Sequence, residues 1–104
     1  MKIVFDVDGT LIDQNGEPRS KIVNLLSMFY ILGWDIYVHS AGGIEYAKFQ
    51  VGRLNLHDDI KVYFEKKGNS TIEYDIAVDD DVKEREFFEM KQGFYINAKY
   101  FLIV

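Results

Sequence analysis

The sequence predicts an α/β domain, a three-layer sandwich in which a mainly parallel sheet is flanked by helices on both faces. Three observations predict it. Short apolar runs rich in β-formers alternate with segments of helical period along most of the chain, the pattern of parallel strands joined by crossover helices. The first, second and fourth of those runs end at carboxylates or a hydroxyl residue, where the carboxyl ends of parallel strands border a ligand site. A length of 104 residues, 48% of them hydrophobic, suffices for one packed core and leaves no room for a second.

Ile3, Val4 and Phe5 predict a buried first strand that stops at Asp6 and Asp8. In an extended chain both carboxylates project to one side with Val7 opposite, and Gly9 then lets the backbone turn. Two like charges at the end of a buried strand repel each other and resist desolvation, unless a cation lies between them or one holds a proton. Asp13-Gln14-Asn15-Gly16 signals a tight turn ahead of Pro18.

Ser20 is placed to cap a helix over Lys21 to Leu32, whose stripe is Ile22, Leu25, Leu26, Phe29 and Leu32, with Gly33 to end it. Val23, Met28, Tyr30 and Ile31 widen that stripe, which favours a deeply buried helix over a dimer face. Trp34 to His39 reads as the second strand, with Ile36 and Val38 on one face and Tyr37 on the other, and leads into Ser40-Ala41-Gly42-Gly43.

A second helix is expected over Ile44 to Leu54, turning Ile44, Ala47, Val51 and Leu54 inward and Glu45, Lys48 and Arg53 outward. Tyr46 and Phe49 share another edge and read as core rather than as a nucleobase-stacking pair. Asn55 to Asp59 is a polar connection, Ile60 to Phe64 a third strand, and Lys66 and Lys67 lie in the loop after it. Asp75 to Val78 forms a fourth strand that runs into Asp79-Asp80-Asp81, acids that also suit the first turn of a short helix over Val82 to Lys91. Phe94 to Ile96 is a fifth strand, and the apolar tail Tyr100 to Val104 is expected to pack as a strand, in this sheet or against another copy. His39 and His57 read as structural or solvated.

Composition removes several classes of function. Without cysteine the chain has no disulfide, thiolate zinc site or cysteine nucleophile. No run approaches a membrane span, and the first apolar segment is too short and carries Asp6, unlike a signal peptide, so cytoplasmic residence is expected. A net charge of −5 argues weakly against a broad nucleic-acid-binding face. Five of the acids are Asp6, Asp8, Asp79, Asp80 and Asp81, whose charge a divalent ion would partly offset, so a nucleic-acid or nucleotide phosphate stays open as substrate.

Asp6-Val7-Asp8-Gly9-Thr10 at the end of a strand closely resembles the first motif, D-x-D-x-[TV], of the haloacid dehalogenase-like (HAD) superfamily of phosphotransferases. A calcium loop is set aside, because the residues between Val7 and Ile12 lack the alternating oxygen ligands and a strand precedes them. The resemblance extends over about four fifths of the chain. It implies that Ser40, with the Ala41 backbone, binds phosphoryl oxygens, that Lys67, or else Lys66, balances their charge, and that Asp79 or Asp80 completes a magnesium site with Asp6 and Asp8.

The fold implied is a minimal Rossmann-like sandwich with no cap domain, since few residues separate Thr10 from the next helix. The activity implied is Mg²⁺-dependent phosphomonoester hydrolysis, with Asp6 as nucleophile and Asp8 as acid and base. Without a cap, selection falls to the short flap, a partner chain or the substrate's bulk, which points to a macromolecular phosphate and leaves sugar phosphates and a homodimer open. Two other readings stand beside it. One is a receiver-like signalling module, which fits poorly because Asp58-Asp59 precedes the third strand; the other is a HAD-like module that binds metal or phosphate without turnover.

Overall fold

The computed structural model describes residues 1–65, 73–81 and 93–100. Five strands, β1 (Lys2–Asp6), β2 (Asp35–Ser40), β3 (Val62–Glu65), β4 (Ile76–Asp79) and β5 (Phe94–Asn97), form one sheet in the order β3-β2-β1-β4-β5, and every pairing is parallel. The α/β class and the parallel sheet agree with the sequence reading.

Helices α1 (Ser20–Ile31) and α2 (Ile44–Arg53) connect β1 to β2 and β2 to β3. Both crossovers step in the same direction across the sheet, so right-handed connections place both helices on one face. The main core records that placement: Ile22 and Leu26 of α1 and Ala47 and Val51 of α2 cluster with Ile3, Phe5, Ile36, Val38 and Val78 of the sheet. The opposite face carries a smaller cluster, Val4, Tyr37 and Ala77, with Val62, Phe64, Tyr74 and Tyr95 packed around it. The predicted division of β2, with Ile36 and Val38 on one side and Tyr37 on the other, is therefore observed.

Several local expectations are corrected. Arg19, not Ser20, stands at the N-cap of α1, in an extended conformation and with no side-chain cap bond. The helix is not deeply buried: Met28 is 58%, Ile31 81% and Leu32 69% exposed, because α1 meets the sheet along Ile22 and Leu26 and turns its last residues outward. On α2, Ile44 and Phe49 are exposed, whereas Gln50 is buried. Tyr100 belongs to a 3₁₀ turn, Ala98–Tyr100, instead of starting a strand. The helix expected over residues 82–91 and the rest of the apolar tail lie outside the described residues, as do Lys66 and Lys67.

Beyond β1 the chain turns at once. The Val7 carbonyl accepts the N–H groups of Thr10, Leu11 and Ile12, and Gly9 sits at φ +79°. A compact flap follows, in which the Asp13 carboxylate accepts the N–H groups of Asn15 and Glu17 and isolated bridges pair Ile12 with Asp8 and Pro18. The expected turn at Asp13-Gln14-Asn15-Gly16 is thus present, with Gly16 at φ +76°.

Candidate active site

The strand order places the reversal of the chain between β1 and β4: β2 and β3 build outward on one side of β1, β4 and β5 on the other. In parallel sheets that crevice, outside the carboxyl ends of the strands, is where ligands bind. Asp6 ends β1 and Asp79 ends β4, so the two acids flank it.

Register explains what stands beside them. Asp6 pairs with His39, Phe5 with Val78, and continuing the latter pairing by one residue sets Asp79 next to Asp6. All three side chains have the parity of Val4, Tyr37 and Ala77 on their own strands, so they project from the same face. The outcome is a row across three adjacent strands, His39-Asp6-Asp79, with exposures of 8%, 5% and 1%. One donor atom from each lies within 4.8 Å of the other two, and His39 Nε2 is 3.3 Å from Asp79 Oδ2. Phe64, paired with His39 on β3, sets its ring edge-on to the imidazole at 5.1 Å.

Neighbouring groups hold this row in place. The buried Thr10 hydroxyl donates to Asp6 Oδ2 at 3.4 Å, and Asp79 Oδ1 accepts the Asp81 N–H at 2.9 Å. The Tyr95 hydroxyl lies 2.9 Å from the carbonyls of both Asp79 and Asp81. Burial, and then the nearby Asp79, Asp80, Asp81 and Asp6, push the Tyr95 phenol well above its ordinary range, so it remains a donor.

Asp8 goes elsewhere. It stands past the end of β1, in the turn that starts at Val7, outside the buried row. Its exposed carboxylate accepts a 2.5 Å hydrogen bond from the Tyr46 hydroxyl, from the first turn of α2. That bond, desolvation and the Asp8 charge together raise the Tyr46 pKa. Asp8 and Tyr46 line a cleft of about 400 Å³ together with Gly9, Asp13, Gln50 and Asp80.

The two candidate acids after β4 separate geometrically. Asp79 is buried in the row, whereas Asp80 reaches over the motif loop, where a Cβ on Gly9 would come within 2.1 Å of Asp80 Oδ2. Ser40 is 1% exposed, one residue beyond His39, and its hydroxyl accepts the Gly42 N–H at 3.0 Å. It is not the cap of α2, a position held by Gly43, and Ala41 is exposed in the same loop.

Two arginine bonds close the back of the loop. The Arg19 guanidinium donates to the carbonyls of Gly9 and Ala98, and the residue is only 7% exposed. Burial lowers its pKa, and Asp80 and Asp13 act in the opposite direction.

No family model, curated protein or solved structure matches this chain. The site therefore rests on its own geometry. His39, read from the sequence as structural or solvated, is buried rather than solvated and has a ring nitrogen within 4.8 Å of a carboxylate oxygen of each buried acid, a juxtaposition that sequence reasoning missed. Its signal was strand parity, since His39 follows Tyr37 by two just as Asp6 follows Val4 by two. Tyr46 and Arg19 carried no comparable local signal.

The donor set fits a divalent cation. Two buried carboxylates in adjacent positions are costly to desolvate, and a cation among them offsets that cost. Among the described residues, no helix is long and apolar enough to cross a membrane.

Proposed function

We propose that the chain is a capless, HAD-like phosphomonoester hydrolase working through an aspartyl phosphate, with Asp6 as nucleophile. The observation that carries this reading is the pairing of Asp6 and Asp79 at the carboxyl ends of β1 and β4, on either side of the crevice where the strand order reverses. The three-layer form of the fold belongs to the same proposal. Burial of Val4, Tyr37 and Ala77 on the sheet face opposite α1 and α2 supports a covering layer there.

Asp6 and Asp79, with the Asp8 backbone carbonyl, would hold Mg²⁺, which when bound would neutralise the acids and the phosphoryl oxygens. Asp6 then attacks phosphorus as the bond to the leaving oxygen breaks, and Asp8 gives that oxygen its proton. In the second half Asp8 takes a proton from water, whose oxygen displaces phosphate from Asp6 and restores the carboxylate. Tyr46 holds one oxygen of Asp8, and a carboxylate has a second with which to serve the leaving group.

Ser40 and the backbone of Ala41 bind the phosphoryl oxygens at the start of α2, with Lys67, or else Lys66, as charge partner. The substrate side is an open cleft between the flap and α2, which favours a phosphate presented on a large molecule in the cytoplasm.

The test is phosphate release from an aryl phosphate with and without Mg²⁺, comparing the wild type with Asp6→Asn. Magnesium-dependent release that disappears in the folded variant supports the reading, and release that survives removes the nucleophile. If neither protein releases phosphate, phosphorylated oligonucleotides and phosphopeptides follow as substrates, and no turnover on these either sinks the hydrolase reading.

A further inference from the structure

The third member of the buried row has a chemistry that a magnesium site does not need. Mg²⁺ prefers an octahedron of oxygens and keeps much of its water, whereas an imidazole nitrogen suits first-row transition ions. His39 is 8% exposed, stands in register with Asp6, and turns Nε2 to within 3.3 Å of Asp79 Oδ2. Donors bound at about 2.1 Å to one ion sit about 3 Å apart at adjacent positions, so this spacing already approaches that of two ligands sharing a metal. Phe64 packs edge-on against the imidazole from the β3 side, with ring centroids 5.1 Å apart.

We infer that His39 is a metal ligand and that the Asp6-His39-Asp79 site takes a divalent transition ion, of which Mn²⁺ is the probe, in preference to Mg²⁺. The inference rests on the divalent-ion site of the proposed function and adds to it the identity of a ligand and of the ion. Two carboxylates supply the charge and the imidazole supplies selectivity: a site of oxygens discriminates weakly among hard cations, and one nitrogen tilts it toward softer ones.

The experiment needs no turnover. Mn²⁺ and Mg²⁺ are titrated separately into the whole chain, and the pulsed EPR spectrum of bound Mn²⁺ is examined for the hyperfine coupling of a directly bound imidazole nitrogen. The expected result is nitrogen coupling in the wild type, Mn²⁺ affinity at least about tenfold above that of Mg²⁺, and a fall of that preference by about tenfold in His39→Asn, with Mg²⁺ affinity little changed. Bound Mn²⁺ without nitrogen coupling, coupling that persists in His39→Asn, or no Mn²⁺ binding overturns it. The wild-type spectrum decides the matter even if the variant misfolds. Phosphate release measured on the same samples keeps the two proposals apart: Mg²⁺-dependent release without nitrogen coupling defeats the ligand and leaves the hydrolase, and coupling without release does the reverse.

Discussion

The Tyr46 hydroxyl donates to Asp8 Oδ1 at 2.5 Å, joining the first turn of α2 to the loop that follows β1. The proposed acid-base residue is thus oriented by an element outside its own motif. Tyr46→Phe is expected to lower kcat for phosphate release about tenfold with KM nearly unchanged, because Asp8 acts at the leaving oxygen and not in holding the substrate. Stability should fall by about 1 kcal/mol or less, as the acceptor remains exposed to water. Steady-state kinetics and urea unfolding of the same variant check both; equal loss in kcat and stability would reduce Tyr46 to a structural residue.

Asp79 and Asp80 are adjacent in sequence yet should respond differently to the same change. Asp79→Asn removes a charge from the buried row and is expected to weaken divalent-ion binding by 10-fold or more, about 1.4 kcal/mol or above. Asp80→Asn alters the cleft over Gly9 and should leave ion affinity within about threefold of the wild type. Calorimetric titration with Mn²⁺ distinguishes them, and a reversed order would move the metal role to Asp80.

Gly9 at φ +79° faces both a backbone and a packing demand. A side chain there is strained, and its Cβ would meet the Asp80 carboxylate at 2.1 Å. Gly9→Ala is expected to cost about 1–3 kcal/mol in urea unfolding. Adding Asp80→Ala should recover the packing part and leave about 1 kcal/mol for the backbone; no recovery would show that conformation accounts for the whole loss.

Alkaline pH supplies a test of burial. The Tyr63 phenol is raised to about 12, chiefly by burial and then by Asp58, and Tyr95 is raised in the same way. Because the folded state holds these protons longer than the unfolded one, their contribution is complete below about pH 10 and is lost as the pH climbs toward 12. Stability should therefore fall across that window, with a shallower fall in Tyr63→Phe. Tyrosinate absorbance of the folded protein should show fewer groups titrating near pH 10 than the unfolded chain does.

Much of this arrangement is legible in the sequence because it follows from local rules. The strand positions come from short apolar runs, and the alternation of Ile36, Tyr37 and Val38 correctly divides the two faces of β2. The ends of β1 and β4 are marked by acids where the runs stop. What escaped is non-local or depends on the backbone leaving a regular conformation. The bond from Tyr46 to Asp8 joins residues 38 apart, and the turn in which Asp8 sits, where the Val7 carbonyl gathers three N–H groups, is not written in the alternation of the strand. Leu32 and Ile31 continue the apolar pattern of α1 past the point where the helix still meets the sheet. His39 becomes informative only after β1 and β2 are paired in register, which a single chain does not display.

The Arg19 bond to the Ala98 carbonyl joins positions 79 residues apart. During synthesis Asp6 emerges well before its neighbour Asp79 and the carbonyl that anchors Arg19. Pairing β1 with β4 closes a long loop, a slow and entropically costly step. A nascent chain that ends before β4 therefore carries Asp6 without Asp79. On the proposed reading, truncated products of that length should neither bind the divalent ion nor release phosphate.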